Sequence, residues 1–143
     1  MILLALCAVL IGLAAFIRLA PSDPTRWHVD PGALAVTACS QLTKTSASAQ
    51  VTCVIDSDPA TLMAKLDSIA LATPRTVRLA GSAENGRITW VTRSLIWGFP
   101  DYTTAQATPT ETGTRLDVIA RLRFGGADMG VNAARLTGWL GQL

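Results

Sequence analysis

The chain is 143 residues long, with a formal net charge of +2 and half of its residues apolar. Beyond an apolar stretch at residues 1–20, about 120 residues remain, enough for one hydrophobic core and too few for two. No Lys/Arg run or basic helix points to nucleic acid as a partner, and a single histidine with no CxxC pair leaves metal and thioredoxin-like motifs unsupported.

Residues 1–20 read MILLALCAVLIGLAAFIRLA, with no charged side chain from Met1 to Ile17. About 20 helical residues at 1.5 Å each cross a hydrocarbon core of about 30 Å. Pro21 and Pro24 stop the helix. Arg18, Arg26 and Trp27 suit the polar–apolar boundary of a membrane, where arginine and tryptophan concentrate. A cleaved signal peptide is the rival reading, but a basic leader is missing and no small-residue cleavage site stands out. We therefore expect an uncleaved anchor whose helix contacts membrane lipid. Arg18 and Arg26 lie on the C-terminal side of the apolar run, with only the amine on the other, which favours a cytoplasmic domain; the lysine-poor, threonine-rich composition and the cysteines favour export.

Residues 21–33 read as a juxtamembrane linker with three prolines and the only histidine, His28, which has no partner pattern for metal or nucleophile chemistry. The soluble domain is expected over 34–143. Leu34 to Ala49 has no clear period. Cys39 and Cys53 could form a disulfide in an oxidising compartment, or be two small, partly buried residues. Gln50 to Ile55 reads as a strand. Asp58 and Pro59 then supply a cap and a first-turn proline, predicting a helix over Pro59 to Ala72, with Leu62, Met63, Leu66, Ile69 and Ala70 at helical spacing.

Thr76 to Ala80 is a short candidate strand, and Asn85-Gly86 a hairpin signal. Arg87 to Trp97 alternates with apolar groups on both faces, as a central strand does. Tyr102 to Thr108 is another strand and Pro109 to Thr114 a turn. Arg115 to Phe124 places Leu116, Val118, Ala120, Leu122 and Phe124 inward and Asp117, Arg121 and Arg123 outward. Asp128 is an N-cap candidate for a final helix. The order implies an α+β fold: an antiparallel sheet with helices packed on one face, preceded by one N-terminal transmembrane helix.

Residues 123–135, RFGGADMGVNAAR, together with Arg93-Ser94 and Phe99-Pro-Asp101, resemble the family known as domain of unknown function 1499. The resemblance covers about Val91 to Leu143. Tyr102 stands where that family usually has a second Asp, and Ile119-Ala120-Arg121-Leu122-Arg123 lacks the family's hydroxyls. The resemblance implies an exported or membrane-associated domain and brings no activity with it.

Arg93, Asp101, Arg121, Arg123, Asp128, Asn132 and Arg135 form the polar constellation worth testing. They can serve as an anion site, since arginine offers a planar donor fork, or as an internal network that fixes the loop before the last helix. Arginines around Asp101 and Asp128 should keep both ionised, which suits neither to general acid work. No cofactor motif or metal-ligand set is recognisable: no Gly-Lys-Ser/Thr follows Gly125 and Gly126, and no Gly-x-Ser-x-Gly occurs. The expectation is a non-enzymatic, single-pass protein of the bacterial inner membrane with a periplasmic domain. It would act as an interaction or accessory subunit with a membrane-protein partner, or alternatively as a binding module for a lipid or small anion.

Overall fold

A computed structural model describes the whole chain, residues 1–143. Helix α1, Ile2–Leu19, is apolar and stands clear of the domain along its first two-thirds. Its last turn is docked, with Ile17 and Ala20 buried. A short helix α2, Pro24–Trp27, follows, capped by the Asp23 side chain accepting from Thr25 N.

The domain then runs β1 (Thr43–Lys44), β2 (Ser48–Ile55), α3 (Pro59–Ala72), β3 (Thr76–Ser82), β4 (Arg87–Arg93), β5 (Pro100–Thr110), β6 (Gly113–Leu122) and α4 (Val131–Leu140). Its six strands form one antiparallel sheet in the order β1-β2-β6-β5-β4-β3. Helix α3 starts and stops where the local signals say. Asp58 accepts from Ala60 N and Thr61 N, Pro59 occupies the first turn, and Pro74 follows the end.

Alternate residues of each strand point to opposite faces. On one face, Val51, Ile88, Trp90, Leu116 and Val118 meet Leu62, Met63 and Leu66 of α3 and Leu136 and Trp139 of α4. Trp90 and Trp139 make an edge-to-face pair with centroids 5.5 Å apart. Asp67 of α3 ties helix to sheet, accepting from Trp90 Nε1 at 2.8 Å and pairing with Arg78. The irregular stretch 34–42 is held by a Cys39–Cys53 disulfide, Cα atoms 5.2 Å apart, and Cys53 is buried in the core.

The other face departs from the expected plan. Residues 21–33 are no free linker: they lie across the sheet as a strap. Trp27 is buried there instead of sitting among lipid headgroups, stacked on Tyr102 with centroids 3.8 Å apart and planes within 8°. Leu79 and Val91 complete this second, smaller apolar cluster. Helices α3 and α4 do share one face, but α2 covers the other. The stacking area of two large aromatic rings outweighs any interfacial preference of the indole.

Element boundaries also shift. The Arg87–Trp97 segment leaves the sheet at Arg93, because Ser94 and Phe99 close a loop: Ser94 N donates to Phe99 O, Phe99 N to Ser94 Oγ, and Gly98 takes φ +73°. The expected Pro109–Thr114 turn tightens to residues 111–112. Phe124 lies past the end of β6, beside Phe16 of α1 and Phe99, at 6.3 Å from each.

Candidate functional site: a polar network divided by the sheet

The seven polar residues singled out in the sequence do not form one cluster. The sheet separates them. Arg121 and Arg123 project to the strap side, while Asp101, Asp128, Asn132 and Arg135 gather on the helix side. Arg93 sits at the end of β4 beside α1.

On the strap side the arginines grip main-chain carbonyls. Arg121 Nη2 donates to Trp27 O at 3.0 Å and to Thr104 Oγ1 at 3.3 Å, and its guanidinium lies 5.3 Å from the Trp27 ring. Burial pulls its pKa below the usual arginine value, which fits a cation screened by a ring and a carbonyl instead of a carboxylate. Arg123 Nη1 donates to Pro21 O at 2.7 Å and to Tyr102 Oη at 3.1 Å; Tyr102 Oη in turn shares a hydrogen bond with Ser22 Oγ at 2.8 Å. Arg93 Nη1 donates to Gly98 O at 2.9 Å and reaches Ile17 O at 3.5 Å. Arg18 Nη2 donates to Ile96 O. Arg26, one of the residues assigned to a membrane boundary, stays exposed, with its guanidinium 5.2 Å from the Trp27 ring.

Alternation along the strand sends Arg121 and Arg123 outward, where polar residues normally meet water. They point instead into the layer between sheet and strap. Ser22 and Thr104, which complete that layer with Tyr102, carried no sequence signal of their own. His28 belongs to the same layer: its Nδ1 is 2.9 Å from Thr89 Oγ1, and burial together with nearby Arg87 lowers its pKa.

On the helix side, Arg135 joins two partners. It donates to Asn132 Oδ1 at 2.6 Å and to Asp101 Oδ2 at 3.1 Å, with both members of the ion pair largely out of water. Asp128 was expected to be the N-cap of α4. The cap position falls on Gly130, and Asp128 acts from two residues earlier, accepting from Gly130 N at 2.9 Å and Asn132 N at 3.2 Å. Asn132 is fully buried, and its Nδ2 has no protein acceptor. Asp101 and Asp128 both line a cleft of about 310 Å³ with Phe99, Phe124 and Met129.

The two carboxyls are driven in opposite directions rather than both being held down. Burial raises Asp101, against the Arg135 guanidinium, which pulls it back. For Asp128, burial also pushes upward, but the hydrogen bonds from Gly130 and Asn132 and the charge of Arg135 outweigh it, so its pKa falls below the ordinary value.

The chain belongs to the family described as protein of unknown function (DUF1499), whose model matches residues 22–143. That span takes in the strap as well as the sheet, extending the resemblance seen in the C-terminal half. No curated protein matches the chain. Among solved structures, a crystal structure of a Rhodobacter sphaeroides protein from the Northeast Structural Genomics Consortium is 14% identical, covering 71% of this chain and 93% of that one, with a TM-score of 0.39.

Proposed function

We propose that the chain is a membrane-anchored accessory protein. In this reading α1 crosses the bacterial inner membrane once and the domain, on the periplasmic side, docks on a membrane protein as a small subunit of a larger complex. One observation carries it. The last turn of α1 and the strap are built into the domain: Ile17 and Ala20 are buried, and Arg18, Arg93, Arg121 and Arg123 each bond a main-chain carbonyl at this junction. A leader destined for removal gains nothing from such docking, whereas an anchor that must present its domain in one orientation does. The Cys39–Cys53 bond favours the oxidising side. The carbonyl contacts also weigh against the rival reading of Arg121 and Arg123 as an anion site, because a ligand would have to break the strap.

The test is extraction of the full-length protein in mild detergent, followed by native sizing and mass spectrometry of what is retained. The expected result is a stoichiometric membrane-protein partner and a species larger than the monomer. A strict monomer with nothing co-purifying overturns the accessory role.

A further inference from the structure

Arg93 of the divided network meets two further arginines, Arg18 and Arg75, where α1 joins the domain. A cleft of about 450 Å³ is lined by Arg18, Arg75 and Arg93 together with Val77, Ser94 and Leu95. Arg18 comes from the last turn of α1, Arg93 from the end of β4, and Arg75 from the turn after α3. No acidic residue lines the cleft.

Each guanidinium is oriented by main chain. Arg18 donates to Ile96 O and Arg93 to Gly98 O. Arg75 Nε donates to Arg93 O at 2.9 Å, while Arg93 N donates to Arg75 O at 3.0 Å. That exchange pins Arg75 in a left-handed conformation, φ +61°, that a side-chain-bearing residue rarely adopts. A guanidinium has five N–H donors and these bonds use only one or two of them, so each arginine keeps free donors on a frame that is already fixed.

The rim is apolar and open. Val77, Leu95 and Ile96 are 60%, 70% and 75% exposed, and Trp97 is 39% exposed. The bond from Arg18 to Ile96 O places this loop beside the end of the apolar helix. Three cations with no acid among the lining residues, beside Val77 and Leu95 and at the end of an apolar helix, match one ligand chemistry: a phosphate ester carrying acyl chains.

We propose that this cleft holds the phosphate of an anionic phospholipid from the leaflet that α1 meets at its C-terminal end, with Leu95, Ile96 and Trp97 against the upper acyl chains. The inference rests on the reading of α1 as an anchor. Arg18, Arg75 and Arg93 supply charge-assisted hydrogen bonds to the phosphate oxygens, and the exposed loop supplies the apolar contact that a soluble phosphate would not use.

Full-length protein in mild detergent is offered phosphatidylglycerol or phosphatidylcholine of matched acyl chains, and bound lipid is counted by native mass spectrometry. One phosphatidylglycerol per protein is expected, with little phosphatidylcholine. Arg75→Gln should lower phosphatidylglycerol retention about fivefold, the weight of one arginine near an anionic leaflet. Lys44→Gln, on the opposite edge strand, should leave it unchanged. Should Arg75→Gln perturb its turn, Arg18→Gln provides the same reading from another element. Equal retention of the two lipids, or retention indifferent to both arginine variants, overturns the site. Displacement of the lipid by millimolar inorganic phosphate assigns the cleft to a soluble anion and overturns the lipid reading. A carbonate wash of membranes separates the two levels. Protein released by the wash defeats the anchor and this inference with it; protein that resists the wash but shows no lipid preference defeats only the cleft.

Discussion

The indole of Trp27 lies parallel to the phenol of Tyr102, 3.8 Å centroid to centroid, and the guanidinium of Arg121 also sits against that indole at 5.3 Å. Trp27 therefore joins the strap to β5 and β6 at once. Trp27→Ala should reduce the unfolding free energy by about 3 kcal/mol, the scale for removing a buried tryptophan, seen as a lower denaturant midpoint for the full-length protein in detergent. Trp27→Phe should recover part of the loss. A change within about 0.5 kcal/mol, as for an exposed surface residue, would mean that the indole faces lipid or water.

The Asp101–Arg135 pair predicts a pH signature. Asp101 has a raised folded-state pKa, so the folded chain binds its proton more tightly than the unfolded chain does. Its protonation therefore stabilises the fold at low pH, and that contribution is lost as pH rises above 3.8 through the folded-state value. Asp128 runs the other way: its depressed pKa contributes stability above 3.8 that is lost as pH falls below that value. Denaturation curves from about pH 3 to about pH 7 should show Asp101→Asn removing the downward slope on the neutral side, with Asp128→Asn removing the drop on the acid side. Arg135→Met leaves Asp101 without its cation; a loss of about 3 kcal/mol near neutral pH is expected, largely relieved by adding Asp101→Asn.

The Cys39–Cys53 bond closes a sequence separation of 14. Loops of that size contribute about 3 kcal/mol through restriction of the unfolded chain. Reductant, or Cys39→Ser with Cys53→Ser, should lower the melting temperature, and reductant should leave the double variant unaffected. Cys7, exposed on α1, is unpaired, so a single bridge per chain should appear in non-reducing peptide mapping.

How much of this could be read beforehand depended on whether the signal was local. The bounds of α3 came from Asp58, Pro59 and Pro74, whose effects act within one turn. The alternation of β6 was equally plain, because Leu116, Val118 and Ala120 all enter the core. The strap was opaque for the opposite reason. Three prolines with Ser22, Asp23 and Asp30 have the composition of a linker, and their packing depends on Trp27 meeting Tyr102, a residue far along the chain. The polar constellation was found residue by residue, but its division was not. The one-residue offset that sends Tyr102 to the strap side and Asp101 to the helix side becomes meaningful only once both faces are known to be covered.

The docking of Ile17 and Ala20 has a mechanical consequence. Docked in this way, helix and sheet are coupled through Ile17, Ala20 and Arg18. One extra residue within α1 between Ile17 and Arg18 would turn everything before it by about 100° and advance it about 1.5 Å, carrying Ile17 off its seat. A stretch that looks elastic in composition is thus a torsional coupling. In a chain anchored as proposed, any tilt imposed on α1 by the thickness of the bilayer is delivered to the domain as a change in the direction it faces.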